Sequence, residues 1–91
     1  MQIIILDGRS MTDRDTAHAY LAKTLHFPDW YGGNLDAMAD CLSELDAHSH
    51  LILTNAEDMR LKLGEYGERM LTVFRELSAE PGSFHFAIDG E

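Results

Sequence analysis

The chain is short of most things that would give it chemistry of its own. It has one cysteine, two prolines, one tryptophan and seven bases against sixteen acids in 91 residues. With Cys41 alone, no disulfide can close within the chain and no cysteine-rich zinc cluster can assemble. No apolar run approaches the ~18–20 residues that a membrane span requires. The opening Met1-Gln2-Ile3-Ile4-Ile5-Leu6-Asp7 lacks the basic n-region and small-residue cleavage site of a secretory signal. A soluble, cytoplasmic protein is expected. The shortage of bases is the most telling deficit: formal net charge is −9 and the pI about 4.8. Phosphates would repel such a chain, which disfavours direct contact with nucleic acid or an anionic membrane. A basic partner suits it, although solubility alone also explains acidity.

What is present is enough for one core. A 45% hydrophobic content supports a folded globule, and the length supports a single domain over residues 1–91. Gln2–Leu6 reads as a strand apolar on both faces, ended by Asp7-Gly8, and such strands usually lie inside a parallel sheet. Thr12 is placed to cap a helix, with Asp15 as its capping-box partner and Ala17, Tyr20, Leu21, Thr24 and Leu25 as the inward stripe. Pro28 and Gly32-Gly33 mark a loop. Asn34 then caps a second helix reaching about Leu45, with Leu35, Met38, Leu42 and Leu45 on one side. His50–Thr54 is a second strand, Glu57–Leu63 a short helix stopped at Gly64, and Glu68–Ala79 a longer one burying Met70, Val73, Phe74 and Leu77. Ser83–Ile88 alternates Phe84, Phe86 and Ile88 as a third strand. Helical crossovers between all strands imply an α/β domain with a three-stranded parallel sheet and about four helices. The first strand, being the most apolar, is expected in the middle.

The second helix also carries acids. Asp36 and Asp40 are four residues apart and so share one face, opposite the Leu35/Met38/Leu42/Leu45 stripe, and Glu44 extends the row. Stacked like charges cost an isolated helix a few tenths of a kcal/mol each, so the fold gains nothing from them. The helix dipole accounts for Asp36 near the N-terminus but not for Asp40. A solvated acidic face is the plain alternative. Between Lys23 and Arg60 there is no Lys or Arg, while Asp29, Asp36, Asp40, Glu44, Asp46, Glu57 and Asp58 all fall there. A patch of one sign steers a partner of the other. Trp30 and Tyr31 precede the helix, and aromatics beside acids have the composition of a binding hot spot. Of the two rings, Tyr31 is expected to be the more buried.

The segment Leu25-x-x-Pro28-x-Trp30-Tyr31-Gly32-x-Asn34-Leu35-Asp36-Ala37-x-x-Asp40-Cys41-Leu42 resembles the signature of the barstar family of ribonuclease inhibitors, and Val73-Phe74-Arg75-Glu76 resembles a later helix of that family. The resemblance implies a compact α/β domain that mimics RNA phosphate. By position, Asp40 would enter the cationic active site of a barnase-type or divergent toxin ribonuclease, and Asp36 would pair with a flanking arginine. Trp30 would pack on the catalytic histidine. Tyr31, Gly32, Asn34, Leu35 and Ser43 would supply further contacts, with Glu76 a peripheral acid. The family carries a tryptophan where this chain has Ala39, an aromatic at Leu45 and an acid at Gly33, so part of the apolar contact surface differs and the identity of the target with it.

An enzyme built on Asp36 and Asp40 is the rival reading. D-x-x-x-D is a weak signal, and no phosphate loop, nucleophile elbow or H-E-x-x-H accompanies it. No cofactor is implied. The five histidines are scattered and expected at surface or strand positions, and His48-x-His50 would suit a metal only on a shared strand face. Cys41 is expected to be a small core residue, its thiol discouraged from ionising by acidic neighbours. A further rival keeps the fold but binds a basic protein without inhibiting it. Blocking of RNA cleavage separates it from an inhibitor.

Overall fold

A computed structural model describes residues 1–90. Strands β1 (Gln2–Asp7), β2 (Ser49–Thr54) and β3 (His85–Ile88) form a parallel sheet. Helices α1 (Arg14–Thr24) and α2 (Leu35–Leu42) connect the first pair, and α3 (Ala56–Leu63) and α4 (Glu65–Ser78) the second. The α/β class, the parallel pairing and the four helices match the sequence reading. Strand order does not.

The sheet runs β1-β2-β3, so β2 is central and β1 lies at an edge. Both faces of β1 are aliphatic, but only one is covered. Leu6 is fully buried and Ile4 packs against the core, whereas Ile3 and Ile5 stay 56% and 50% exposed. Their face continues in register through His50 and Ile52 to His85 and Ala87, where the two histidine rings stack 4.3 Å apart. Ile3, Ile5, His85 and Ala87 are exposed, so no helix covers this face along either edge strand. Parallel sheets are ordinarily covered on both sides; this one puts its core on one side only. Ile5→Thr, which keeps a β-branched residue, should therefore shift the unfolding free energy by less than ~1 kcal/mol in urea melts.

On the covered side Leu51 and Leu53 of β2 meet Met38 and Leu42 of α2 and Met70, Leu71 and Phe74 of α4, all essentially inaccessible. Phe74 also stacks on the half-buried Phe86 at 4.8 Å. Two glycines set the packing distances. A Cβ on Gly8 would overlap the Asn55 carbonyl oxygen, which pins the turn after β1 against the start of α3. One on Gly67 would sit 3.0 Å from the Leu63 Cβ, where α3 and α4 approach. Gly67 therefore belongs inside α4, which starts at Glu65, three residues before the expected Glu68, and Val73 and Leu77 are only half-buried. The cap of α1 is Asp13, not Thr12: its carboxylate accepts the Thr16 N–H (2.8 Å) and the Thr16 hydroxyl (3.0 Å). The third strand proper begins at His85, with Ser83 making an isolated antiparallel bridge to Asp46.

The end of α1 aims the chain at the acidic helix. His26 takes the left-handed conformation (φ 58°), and the Phe27 N–H reaches back to the Ala22 carbonyl at 2.9 Å. That hydrogen bond closes the helix in the manner usually given to a glycine. The loop to Gly33 (φ 68°) then delivers Asn34, whose side-chain oxygen accepts the Ala37 N–H at 2.8 Å and starts α2.

Candidate functional site

Helix α2 ends at Leu42, short of the expected Leu45, because Ser43 caps it and the Glu44 and Leu45 N–H groups bond back only three residues. Met38 and Leu42 are buried, Leu35 and Leu45 are half-buried against the core, and Asp36 and Asp40 on the helix and Glu44 in the turn after it are exposed. Among the described residues none of these three carboxylates makes an ion pair or a side-chain hydrogen bond. Several of the chain's bases are engaged elsewhere. Arg9 pairs with Asp7 at 2.9 Å, Arg60 with Glu68 at 3.2 Å, and Arg69 with Glu65 at 3.0 Å. Arg14 lies over the Tyr66 ring, 4.3 Å from its centroid, and lines a shallow cleft with Asp36 without pairing to it. The acidic ridge is left open to an outside cation.

Other positions singled out in the sequence fall around it. Trp30 is 81% exposed and Tyr31 half-buried, the order expected of the two rings. Gly32 and Asn34 are exposed in the loop. Ser43 caps the C-terminal end of α2, its hydroxyl donating to the Asp40 carbonyl oxygen at 2.6 Å. Glu76 is exposed on α4, a separate element that packs on α2. Cys41 is half-buried rather than a core residue, because it sits at the flank of the helix. Partial burial, with Asp40 and Glu44 beside it, raises its thiol pKa.

One member of the site was not legible as such. His18, expected at a surface or strand position, is 3% exposed on the inner face of α1. Its Nδ1 is 2.7 Å from the Tyr31 hydroxyl and its Nε2 2.6 Å from the Tyr66 hydroxyl. Phe27 backs Tyr31, ring centroids 4.8 Å apart. One imidazole thus ties the loop carrying Trp30 to both α1 and α4. Burial lowers the His18 pKa, with Asp15 opposing the shift, so the ring is neutral near pH 7, one nitrogen donating and the other accepting. Burial likewise raises the Tyr31 pKa and keeps its hydroxyl protonated. The signal was present in the spacing, since His18 lies three and seven residues before Leu21 and Leu25 on the same stripe.

Among the described residues no group of three or more His, Cys, Asp or Glu is placed to hold a metal ion, and His48 precedes β2 while His50 lies within it. No helix is long and apolar enough to cross a membrane.

A three-stranded parallel sheet with its acidic helix set after a Tyr-Gly-x-Asn loop defines a small α/β class. The chain belongs to the family described as Barstar (barnase inhibitor), whose model matches residues 1–89. It is also 41% identical over 81 residues to the Bacillus subtilis (strain 168) protein named "Putative ribonuclease inhibitor YrdF", covering 88% of this chain and 89% of that one.

Proposed function

We propose that this protein inhibits a ribonuclease by filling its cationic active-site cleft with the carboxylates of α2, and that it is not itself an enzyme. Membership of the barstar family and the likeness to a protein named for ribonuclease inhibition support the general role. The observation that carries the mechanism is the exposed set of Asp36, Asp40 and Glu44, unpaired among the described residues. A ribonuclease stabilises a phosphate that gains charge in the transition state, so its cleft concentrates positive charge. Carboxylates held on a capped helix answer that charge with little ordering cost on binding. Trp30, Tyr31, Gly32, Asn34, Leu35, Ser43 and Glu76 are assigned to the same contact surface.

The test is an RNA-cleavage titration against barnase, the ribonuclease in the family's description. Activity should fall linearly to zero at equimolar protein. Binding without loss of cleavage would instead mark a non-inhibitory module that uses the acidic face for another purpose.

Electrostatic steering makes a second prediction. The association rate, followed by stopped flow, should fall steeply as salt rises, because the Debye length shrinks from about 10 Å at 0.1 M to about 3 Å at 1 M. An on-rate indifferent to salt would remove steering from the mechanism.

A further inference from the structure

The uncovered face of the sheet carries two of the five histidines. His50 of β2 and His85 of β3 are Cα partners in the parallel register, and their rings stack with centroids 4.3 Å and planes 19° apart. His85 is exposed and His50 half-buried. Both line a shallow depression of about 170 Å³, and every other residue lining it is apolar, Ile3, Ile52 and Ala87 among them. We propose that His50 and His85 form a bidentate site for a late first-row transition-metal dication, Cu²⁺ before Ni²⁺ or Zn²⁺. The site lies on the side of the sheet away from the core and α2, and it goes beyond the inhibitor reading without resting on it.

Among the described residues neither ring makes a hydrogen bond or an ion pair, so no structural role other than the stacking contact occupies their nitrogens. Neighbouring strands are about 4.8 Å apart, and paired residues project from the same face, which brings both imidazoles within reach of one ion. Metal–imidazole bonds of about 2.0–2.1 Å place the two donor nitrogens roughly 3 Å apart. Rotation about χ2, a broad torsion in histidine, takes the stacked rings to that arrangement. Apolar walls around the ligands restrict solvent access to the ion.

The donor set selects the ion. Imidazole suits Cu²⁺, Ni²⁺ and Zn²⁺, with Cu²⁺ held most tightly, whereas Mg²⁺ and Ca²⁺ require oxygen ligands and no carboxylate lines the depression. Among the described residues no third His, Cys, Asp or Glu joins the pair, so water completes the coordination shell. The two histidines meet only in the native register of β2 with the four-residue β3. An ion between them therefore binds the folded chain in preference to the unfolded one. His48 is the natural control, since it lies in the turn before β2, where its N–H donates to the Asp46 carboxylate at 2.9 Å.

Isothermal titration of the untagged full chain with NiCl₂ tests this. One Ni²⁺ should bind per chain with a Kd below about 0.1 mM. Cu²⁺ should bind more tightly, with imidazole nitrogen coordination in its EPR spectrum, and Mg²⁺ not measurably. His50→Ala and His85→Ala should each weaken Ni²⁺ binding at least about tenfold, and His48→Ala by less than about twofold. His85→Phe keeps a ring against His50 but supplies no donor nitrogen, so it should lose binding as fully as His85→Ala. Ni²⁺ should also raise the melting temperature of the wild type more than that of any His50 or His85 variant, all of them folded without metal because neither side chain is in the core. A weaker wild-type Kd, a smaller loss at either histidine, binding retained by His85→Phe, or an equal loss in His48→Ala would overturn the proposal. No ribonuclease enters these measurements, so their failure leaves the inhibitor reading where it stands.

Discussion

Asp40→Ala should weaken inhibition by about 30-fold to several thousand-fold, the equivalent of ~2–5 kcal/mol for cutting one partner from a desolvated charge pair. The placement of Asp40 drives that expectation. It has Asp36 one helical turn before it, and it lines one surface groove with Trp30 and with Glu44 of the turn that follows α2, so a partner seated on the ridge removes it from water. Asp46 provides the contrast. It is exposed, but its carboxylate already accepts the His48 N–H at 2.9 Å and its residue bridges to Ser83. Asp46→Ala should change inhibition by no more than about threefold, as expected for a charge at the edge of an interface. Equal inhibition constants for the two variants would remove the plugging mechanism. The same substitution has an opposite effect on the free protein. Replacing Asp40 relieves its like-charge neighbour Asp36, one turn before it, by a few tenths of a kcal/mol and installs the best helix former. The melting temperature should rise by several degrees, since ~1 kcal/mol corresponds to ~4–8 °C in a domain of this size. Weaker inhibition with greater stability is the mark of a residue kept for its partner.

Much of this architecture was legible because periodicity and caps are local. Asn34 begins α2 where an amide side chain can accept a helix N–H, and the 3-4-3 spacing of Leu35, Met38, Leu42 and Leu45 forced Asp36 and Asp40 outward. The position of β1 was not legible, because an aliphatic pair such as Ile3 and Ile5 reads the same whether a helix covers it or not. Strand order depends on which neighbour covers which face, and that is a long-range property. The start of α4 at Glu65, before the expected Glu68, was hidden for a related reason: a glycine usually weakens a helix, but the close approach of Leu63 to Gly67 is visible only in the fold. His18 was passed over because its partners, Tyr31 and Tyr66, are 13 and 48 residues away in sequence. The acidic ridge was readable from one helix alone. The clamp that positions its flanking loop needed three elements to be seen together.

That clamp carries the second large effect. His18→Leu retains an apolar side chain on the buried face of α1 but strips the inner partner from the Tyr31 and Tyr66 hydroxyls, both half-buried. The loss should cost about 2–4 kcal/mol of stability, from two hydrogen bonds and the incompletely rehydrated groups they leave. At ~4–8 °C per kcal/mol the melting temperature should fall by roughly 8–32 °C. The wild type should also carry a pH signature that the variant lacks. The unfolded chain protonates this histidine near pH 6.5, whereas burial holds its native pKa lower. Below pH 6.5 the unfolded state therefore binds a proton that the native state refuses, and stability falls as pH drops toward the native pKa. The contribution is fully present above pH 6.5, and its slope cannot exceed about 1.4 kcal/mol per pH unit for one proton. Asp15 partly offsets the shift, and the tyrosine hydroxyl that donates to the neutral ring must turn its proton away when the ring is charged. Urea unfolding of both proteins between pH 5 and 7.5 isolates the effect in their difference, with the variant showing the flatter profile. Identical slopes would mean that His18 holds the loop without sensing protons. If the melting temperature of His18→Leu matched the wild type as well, Tyr31 would have no anchor in this histidine and the loop beside the acidic ridge would owe its order to Phe27 packing alone.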